Sequence, residues 1–386
     1  MQTCDVLVVG GGPAGSSCAW ALSGSALDVC VLDRREFPRD KVCAGWITPQ
    51  VVEVLRLDVD DYRRGRVWQP IAAFRTGLIG EREIETRYDR PVSFGIRRCE
   101  FDHYLLERSG ARQLTPQPVD SIEQRGGRWI VNGEFSAAVL VGAGGHFCPV
   151  ARHLGARHAS QASVVAAQEA EFEIPPGAPG WESIAPEMPE LYFCRDLAGY
   201  GWCFRKGNYL NVGLGRTVAE DLSAQMAEFC EFLSERGKVV LPLPARPKGH
   251  AYQLYERVEP TLTADGVLLV GDAAGLAYPQ SGEGIRPAVE SGIIAAEVIR
   301  AAKVDYRAAS LAPYHQQILS RFGRPRRSSI SSWLPATALA LLAAKLMASR
   351  HFARRVILDR WFLHRQEPAL RLQPARATVV GATGSH

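Results

Sequence analysis

The sequence contains no Cys-x-x-Cys pair, although nine cysteines occur among its 386 residues. An odd set of cysteines without such pairs is typical of reduced thiols and argues against a disulfide framework or a zinc site. The Ala/Leu-rich stretch at residues 335–347 is interrupted by Lys345 and is shorter than the roughly 20 residues that span a bilayer. It predicts a buried or interfacial helix. A strand-like run starts at once after Met1, leaving no room for a signal peptide, so we expect a cytoplasmic protein.

The formal net charge of +4 is unevenly distributed along the chain. Residues 321–371 hold eleven Lys and Arg residues against only Asp359 and Glu367. A basic region of this kind is most often a solvated helix face, but it also suits anionic lipid or an acidic protein partner. We expect no nucleic-acid partner, and peripheral contact with the inner membrane surface stays open.

A strand followed by a glycine-rich turn opens the chain. Residues 5–9 are an apolar run of strand formers, and they lead into Gly10-Gly11-Gly12-Pro13-Ala14-Gly15, which matches G-x-G-x-x-G. The first glycine permits a tight turn, the second lets a pyrophosphate approach the backbone, and the third lets helix and strand pack closely. Asp33 ends the second strand, where a carboxylate accepts hydrogen bonds from ribose hydroxyls. The pattern predicts an adenine dinucleotide site with contacts at Gly10, Gly12, Pro13, Ala14, Gly15, Asp33 and Arg34.

Three apolar runs that are far apart in the sequence end in glycine-containing turns, which begin at Gly10, Gly142 and Gly271. Near-continuous apolar runs are typical of parallel strands covered on both faces, and ligands bind at the carboxyl ends of such strands. The sequence therefore predicts an α/β fold in which a discontinuous Rossmann-type domain brings these turns to one ligand. To this domain we assign residues 1–70, 97–160 and 250–312.

The inserted segments have the pattern of antiparallel strands. Residues 200–204 and 209–214 form the arms of a predicted hairpin, and residues 219–236 have the spacing of an amphipathic helix. We expect residues 71–96 and 161–249 to form a substrate-binding domain with an antiparallel sheet, one face packed and the other lining a cavity. Residues 313–386 are predicted to form a helical C-terminal region that ends in a disordered tail.

A second nucleotide signature favours FAD over NAD. Gly271-Asp272 follows the third apolar run, where the aspartate is placed to bind the hydroxyls of a ribityl chain, which NAD lacks. Ser281-Gly282-Glu283-Gly284-Ile285 then precedes an Ala-rich helix over residues 285–298. The free N–H groups and positive dipole of such a helix stabilise negative charge on a reduced flavin ring. These signals predict non-covalent FAD with contacts at Gly271, Asp272, Gly282, Gly284 and Ile285.

Five sequence blocks resemble the flavoprotein superfamily that contains the aromatic hydroxylases, the flavin-dependent halogenases and the geranylgeranyl reductases. They are the N-terminal turn and residues 37–45, 98–102, 142–152 and 271–285. The resemblance implies that Arg98 contacts FAD, that Asp272 binds the ribityl chain and that the backbone of residues 282–284 contacts the flavin ring. It also implies cofactor contacts at Lys41, Cys43, Ala44 and Gly144.

The hairpin narrows the resemblance to one branch of that superfamily. Tyr200-Gly201-Trp202-Cys203-Phe204 is similar to the Y-x-W-x-F signature of geranylgeranyl reductases. Alternate side chains of a strand share one face, so Tyr200, Trp202 and Phe204 would form an apolar wall for a prenyl chain or an aromatic ring, with Trp46 as a further substrate contact. A second interpretation is that the three rings pack against the helix of their own domain. Halogenases carry a related W-x-W-x-I-P strand.

Three positions depart from the family patterns. Arg205 stands where the reductases usually have proline, Ala44 replaces the first of two glycines, and Gly144 replaces the aspartate of the hydroxylases' G-A-D-G motif. The last departure argues against a simple NADPH-dependent hydroxylase. Neither a second dinucleotide fingerprint nor a metal-ligand cluster is visible, so electrons would come from transient NAD(P)H contact or a partner reductase. The candidate catalytic residues, each of which also fits a structural role, are His146, Cys43 and Lys41.

These observations predict an FAD-dependent oxidoreductase that reduces or dehydrogenates an apolar, isoprenoid-like or aromatic substrate through flavin N5. One alternative is a monooxygenase or halogenase that works through a flavin C4a-hydroperoxide. Another is a flavoprotein accessory that modifies, or docks on, a partner protein through its basic C-terminal region.

Overall fold

The computed structural model describes residues 1–156, 164–175, 177, 183–217, 220–255, 261–325 and 345–371. The helices within these residues are α1 (Pro13–Leu22), α2 (Pro49–Val54), α3 (Val59–Tyr62), α4 (Arg98–Arg108), α5 (Pro149–His153), α6 (Leu222–Glu235), α7 (Ile285–Ala302) and α8 (Ala308–Phe322). The strands are β1 (Gln2–Val9), β2 (Val29–Leu32), β3 (Trp46–Ile47), β4 (Gln69–Ile71), β5 (Ala73–Leu78), β6 (Ile84–Arg87), β7 (Ser93–Gly95), β8 (Arg112–Leu114), β9 (Ile122–Arg125), β10 (Arg128–Val131), β11 (Phe135–Gly142), β12 (Val164–Glu173), β13 (Glu190–Phe193), β14 (Gly199–Lys206), β15 (Tyr209–Arg216), β16 (Lys248–Gln253), β17 (Thr263–Ala264) and β18 (Val267–Leu269).

The first large sheet has the predicted parallel core. Its strands run in the order β17-β18-β11-β1-β2-β8, and the β9–β10 hairpin attaches to β11. β1 pairs in parallel with both β11 and β2, and β11 pairs in parallel with β18. The central residues of β1 and β11 are fully buried because helices cover the sheet. This arrangement confirms the α/β, Rossmann-type fold class.

Two long helices pack together over this sheet. α1 and α7 approach so closely at Gly292 that a Cβ atom there would lie 2.2 Å from the carbonyl oxygen of Ala14. Only a glycine allows this approach, because any side chain would overlap the backbone of α1. The contact sets the N-termini of both helices beside the carboxyl ends of the parallel strands.

The second large sheet is mainly antiparallel. Its order is β16-β12-β15-β14-β13-β5-β6, and only β13 and β5 pair in parallel. α6 covers one face, where the ring of Phe229 occupies the space above Gly201. The β14–β15 hairpin is longer than predicted, because Arg205 and Lys206 continue the strand and the turn contains only Gly207 and Asn208. β16 also pairs with β12 through Gln253, so the second sheet extends past the boundary predicted at residue 250.

The C-terminal region adds α8, a short helix at Arg350–Phe352 and a π-helix at Ala353–Phe362. Most of the predicted Ala/Leu-rich helix at 335–347, together with Arg326, Arg327 and the predicted tail, lies outside the described residues. Within the described part of the chain, no helix is long and apolar enough to cross a membrane. Arg321 of the basic region is used internally, since its guanidinium donates two 2.7 Å hydrogen bonds to Glu290.

Candidate functional site

A cavity of about 800 Å³ is lined by residues of both large sheets. At one end it is bordered by the turns after β1, β2 and β11, and at the other by β14 and β16. Nearly all of the site residues predicted from the sequence line it: Gly10, Gly12, Pro13, Ala14, Asp33, Arg34, Lys41, Cys43, Ala44, Trp46, Arg98, Gly144, His146, Tyr200, Trp202, Asp272, Gly282, Gly284 and Ile285.

The glycines of the first turn differ in what they do. Gly10 has φ +116°, and a Cβ atom there would lie 2.3 Å from the carbonyl oxygen of Ala143, so the position excludes any side chain. Gly12 is the N-cap of α1 and faces the cavity. Gly15 does not line the cavity; a Cβ atom there would lie 1.9 Å from the carbonyl oxygen of Gly10, so its role is helix–strand packing.

Asp33 lies at the end of β2 and is held by the backbone. Its carboxylate accepts hydrogen bonds of 2.8 Å from Gly11 N and 3.0 Å from Arg35 N. The guanidinium of Arg39 lies between two carboxylates, 3.5 Å from Asp33 and 3.4 Å from Asp102. Arg39 also lines the cavity, next to Gly12, and sequence reasoning missed it.

Arg98 is fixed by a bidentate ion pair one turn along α4. Its Nε and one terminal nitrogen donate hydrogen bonds of 2.7 and 2.8 Å to the two oxygens of Asp102, which is fully buried. Although burial disfavours its charge, the adjacent carboxylate holds the pKa of Arg98 above its ordinary value. The guanidinium therefore presents a fixed positive charge to the cavity wall.

The second predicted signature forms the opposite wall. Gly271–Ala274 is a 3₁₀ turn, and Asp272 within it lies so close to Gly284 that a Cβ atom there would be 3.0 Å from the carboxylate. Gly282, Gly284 and Ile285 line the cavity at the N-terminus of α7. Gly271, predicted as a cofactor contact, instead packs against Ala14 and Ala288 and does not line the cavity.

Lys41 and His250 meet across the cavity wall. Their Nζ and Nε2 atoms are 2.6 Å apart, and because an ammonium group can only donate, the imidazole nitrogen accepts. Burial and the neighbouring Arg98 lower the pKa of Lys41 to about 8. Burial and the adjacent Lys41 lower the pKa of His250 to about 3, so its ring is neutral. His146, buried in the turn after β11, contributes to the same effect on His250.

Sequence reasoning also missed the contribution of β16. Lys248, His250 and Tyr252 alternate along this strand and all line the cavity. Their period of two was present in the sequence, but a strand of only mixed polar character gave no sign of what it faced. The hydroxyl of Tyr252 lies against Gly282, where a Cβ atom would be 2.2 Å from it.

The far end of the cavity is apolar and aromatic. Tyr200, Trp202 and Trp46 line it together with Leu191 and Ala167. The Tyr200 hydroxyl donates to the carbonyl oxygen of Ser281, a bond that ties the hairpin to the segment before α7. The wall of alternating aromatic residues therefore exists, and two of its three predicted members face the cavity.

Phe204, the third predicted member, is not a cavity residue. It is fully buried, its ring packs edge-on against Trp46 at 6.1 Å, and it fills the space above Gly95. The strand alternation was predicted correctly, but β14 carries Phe204 behind Trp46. Phe362 of the π-helix closes the same cluster, with its ring 5.2 Å from Tyr200 and 5.8 Å from Trp46.

The residues present fit FAD. The turn at Gly10 and Gly12 leaves the start of α1 open to the cavity, where backbone N–H groups and the helix dipole favour a pyrophosphate. Asp33 closes this end, and Asp272 with Gly284 borders the other. A long cavity with both signatures on its walls suits a ligand that extends from an adenosine to a flavin ring.

Comparison with known proteins defines the class. Residues 5–99 match the family model described as FAD dependent oxidoreductase. Digeranylgeranylglycerophospholipid reductase 2 of Methanothermobacter thermautotrophicus is 30% identical over 355 residues, which cover 84% of this chain and 86% of that protein. The menaquinone reductase of Mycobacterium tuberculosis is 27% identical and covers 77% of each chain. The protein is thus an FAD-dependent oxidoreductase.

Solved structures agree on the fold. A geranylgeranyl bacteriochlorophyll reductase-like protein from Thermoplasma acidophilum superposes with a TM-score of 0.74 at 23% identity and covers 90% of this chain and 91% of that one. The halogenase PltM superposes with a TM-score of 0.68 at 15% identity, covering 90% and 78%. Taken with the sequence relatives, the chain belongs to the geranylgeranyl reductase family.

Proposed function

We propose that this FAD-dependent oxidoreductase reduces carbon–carbon double bonds of an isoprenoid substrate. The observation that supports this most is the composition of the cavity, which joins a glycine-lined end to an apolar end walled by Trp46, Tyr200 and Trp202. Flat aromatic walls suit a prenyl chain. Curated relatives named for reduction of a digeranylgeranylglycerophospholipid, geranylgeranyl diphosphate and menaquinone add to this support.

In this proposal FAD lies along the cavity between the two signatures. The N-terminus of α1 and the guanidinium of Arg98 would neutralise the pyrophosphate, and Asp33 would bind the ribose. Asp272 would bind the ribityl hydroxyls, and the N-terminus of α7 would lie at the flavin ring. The proposed contacts are Gly10, Gly12, Pro13, Ala14, Asp33, Arg34, Lys41, Cys43, Ala44, Arg98, Gly144, Asp272, Gly282, Gly284 and Ile285.

The chain must also supply a proton, because reducing a double bond adds one hydride and one proton. Bound FAD supplies hydride-transfer chemistry. Of the cavity residues, Lys41 suits proton donation best, since its ammonium is held by His250 and its pKa of about 8 leaves it protonated yet acidic near neutral pH. His146 and Cys43 are the other cavity residues with a transferable proton.

Product analysis under anaerobic conditions tests the proposal. FAD-loaded protein is reduced with dithionite, which removes the need for a natural electron donor, and is mixed with geranylgeranyl diphosphate or a geranylgeranyl lipid. Mass spectrometry should find products that have gained one H₂ per reduced double bond. Trp202→Leu should raise KM severalfold, whereas Trp129→Leu, which changes a buried tryptophan of β10 outside the cavity lining, should not. Unchanged substrate across the panel would contradict the proposal.

Electrons would come from NAD(P)H in transient contact or from a partner reductase. An anaerobic titration separates the two sources. Bleaching of the flavin by NADPH or NADH alone supports direct contact, whereas bleaching by dithionite but not by nucleotide supports a partner.

Peripheral contact with an anionic membrane is proposed for the C-terminal region. Lys345, Arg350, Arg354, Arg355 and Arg360 are exposed on the described part of it, which supports attraction to acidic lipid. Co-sedimentation with phosphatidylglycerol vesicles, but not with phosphatidylcholine vesicles, is the expected result. Equal sedimentation with both would contradict it.

A further inference from the structure

A buried polar cluster lies behind residues 43–45, on the side away from the main cavity. Its members are Glu169 of β12, Lys206 of β14 and Asn211 of β15, whose exposed fractions are 7%, 0% and 0%. These three side chains do not line the cavity, whereas all of residues 43–45 do. The segment is therefore a thin wall with the cavity on one side and the cluster on the other.

Each member of the cluster is bonded to a main-chain atom of this wall. The amide of Cys43 donates to the carboxylate of Glu169. Nδ2 of Asn211 donates to the Cys43 carbonyl oxygen at 3.3 Å, and Nζ of Lys206 donates to the Ala44 carbonyl oxygen at 3.0 Å. The second sheet thus holds three consecutive peptide groups from behind.

The following glycine shows how closely the wall is held. Gly45 has φ +70°, and a Cβ atom there would lie 2.7 Å from Nζ of Lys206 and 2.4 Å from the carbonyl oxygen of Ile96. Its own carbonyl oxygen accepts a 2.8 Å hydrogen bond from the Ile96 amide. A side chain at this position would push the wall off the cluster.

The cluster also joins the wall to the aromatic end of the cavity. The indole nitrogen of Trp202 donates a 2.6 Å hydrogen bond to Oδ1 of Asn211, whose amide nitrogen bonds to Cys43. The Trp202 ring lies flat over Gly213, where a Cβ atom would be 2.2 Å from it. One buried amide therefore fixes both a cavity-lining ring and the backbone of the facing wall.

Charge is balanced within the cluster by two further residues. Lys206 forms an ion pair with Glu171, and Glu171 also pairs with Arg97 at 3.0 Å. Although burial opposes its ionisation, these cations hold the pKa of Glu171 below its ordinary value. A satisfied buried polar network specifies one arrangement of the groups it joins.

We propose that Glu169, Asn211 and Lys206 are positioning residues that hold residues 43–45 in the shape required at the flavin-binding cavity. They act through the backbone of the wall and touch neither cofactor nor substrate. The proposal rests on the FAD assignment but not on the identity of the substrate, so it can fail while the reductase function stands.

Hydrogen–deuterium exchange of the FAD-free full-length protein tests the geometry directly. Glu169→Ala removes the acceptor of the Cys43 amide, and we expect exchange in a peptide covering residues 40–46 to rise at least tenfold. Glu169→Gln keeps an acceptor oxygen at the same place and should restore protection. Glu190→Gln is the matched control, because Glu190 is also fully buried in the second sheet but pairs with Lys238 and Arg75.

The absorption spectrum of the bound flavin provides the second readout, which a merely structural role would not move selectively. The Glu169→Ala spectrum should shift, whereas Glu169→Gln and Glu190→Gln should match wild type. Should Glu169→Ala not fold, Asn211→Ser removes the bond to the Cys43 carbonyl and should give the same two changes. Wild-type exchange and spectrum in the folded Ala or Ser variant, or equal changes in Glu190→Gln, would overturn the proposal.

Discussion

Replacing Glu169 with glutamine should change how the free energy of unfolding depends on pH. Burial raises the pKa of this carboxyl from 4.5 to about 7, against the opposing charge of Lys206 and with the like charge of Glu171 nearby. The amide of Cys43 and the side chain of Asn211 also face it and favour its ionised form. Burial therefore outweighs the favourable partners, and the folded state prefers the protonated carboxyl.

The sign follows from proton linkage. Between about pH 4.5 and pH 7 the folded state binds more protons at Glu169 than the unfolded state, so stability falls as pH rises through this window. The full penalty is about 3 kcal/mol, since each pKa unit corresponds to about 1.4 kcal/mol. Between about pH 5.5 and pH 8 the part of it that develops is about 2 kcal/mol.

Urea unfolding of FAD-free protein at those two pH values measures the effect. Wild type should lose about 2 kcal/mol more stability across the interval than Glu169→Gln, because the amide does not titrate. Subtraction removes the contribution of every other titrating group. Glu173→Gln, an exposed carboxylate at the end of the same strand, is the control and should follow wild type. Identical pH dependence in wild type and Glu169→Gln would refute the reasoning.

Three further substitutions test other parts of the site. Gly213→Ala should cost about 1–3 kcal/mol of stability in chemical denaturation, because its Cβ would lie 2.2 Å from the Trp202 ring; no loss would contradict that packing. Arg98→Ala should cost about 3–5 kcal/mol in the same assay, since Asp102 loses its bidentate partner in a fully buried position, and a near-neutral result would argue against that pair. Asp33→Asn should weaken FAD binding about tenfold in a fluorescence titration, because a charged acceptor of the turn is lost; wild-type affinity would remove Asp33 from the cofactor site.

The nucleotide end of the fold was predictable because its signal is local. A buried parallel strand, a glycine turn and a helix follow one another within a few residues, and the turn geometry at Gly10 admits no other residue type. Each such unit specifies its own end of a strand, and parallel packing then places the ends of β1, β11 and β18 side by side. The predicted fold class followed from these units alone.

The opposite wall of the cavity depended on contacts between distant parts of the chain. His250 became recognisable only because β16 pairs with β12 and so brings it to Lys41, 209 positions away in the sequence. Phe204 was misplaced for a related reason, since alternation predicts the face of a strand but not how far the neighbouring Trp46 extends over it. The Asn211 link between Trp202 and Cys43 likewise leaves no local pattern.

The central claim, reduction of an isoprenoid double bond at this cavity, is tested most directly by anaerobic reoxidation of the bound flavin. Dithionite-reduced protein, freed of excess reductant, is mixed with a geranylgeranyl compound or with its fully saturated counterpart while the oxidised-flavin absorbance is followed. The proposal predicts recovery of that absorbance with the unsaturated compound and not with the saturated one. No recovery with any geranylgeranyl compound, in protein whose flavin still reoxidises in air, would contradict it.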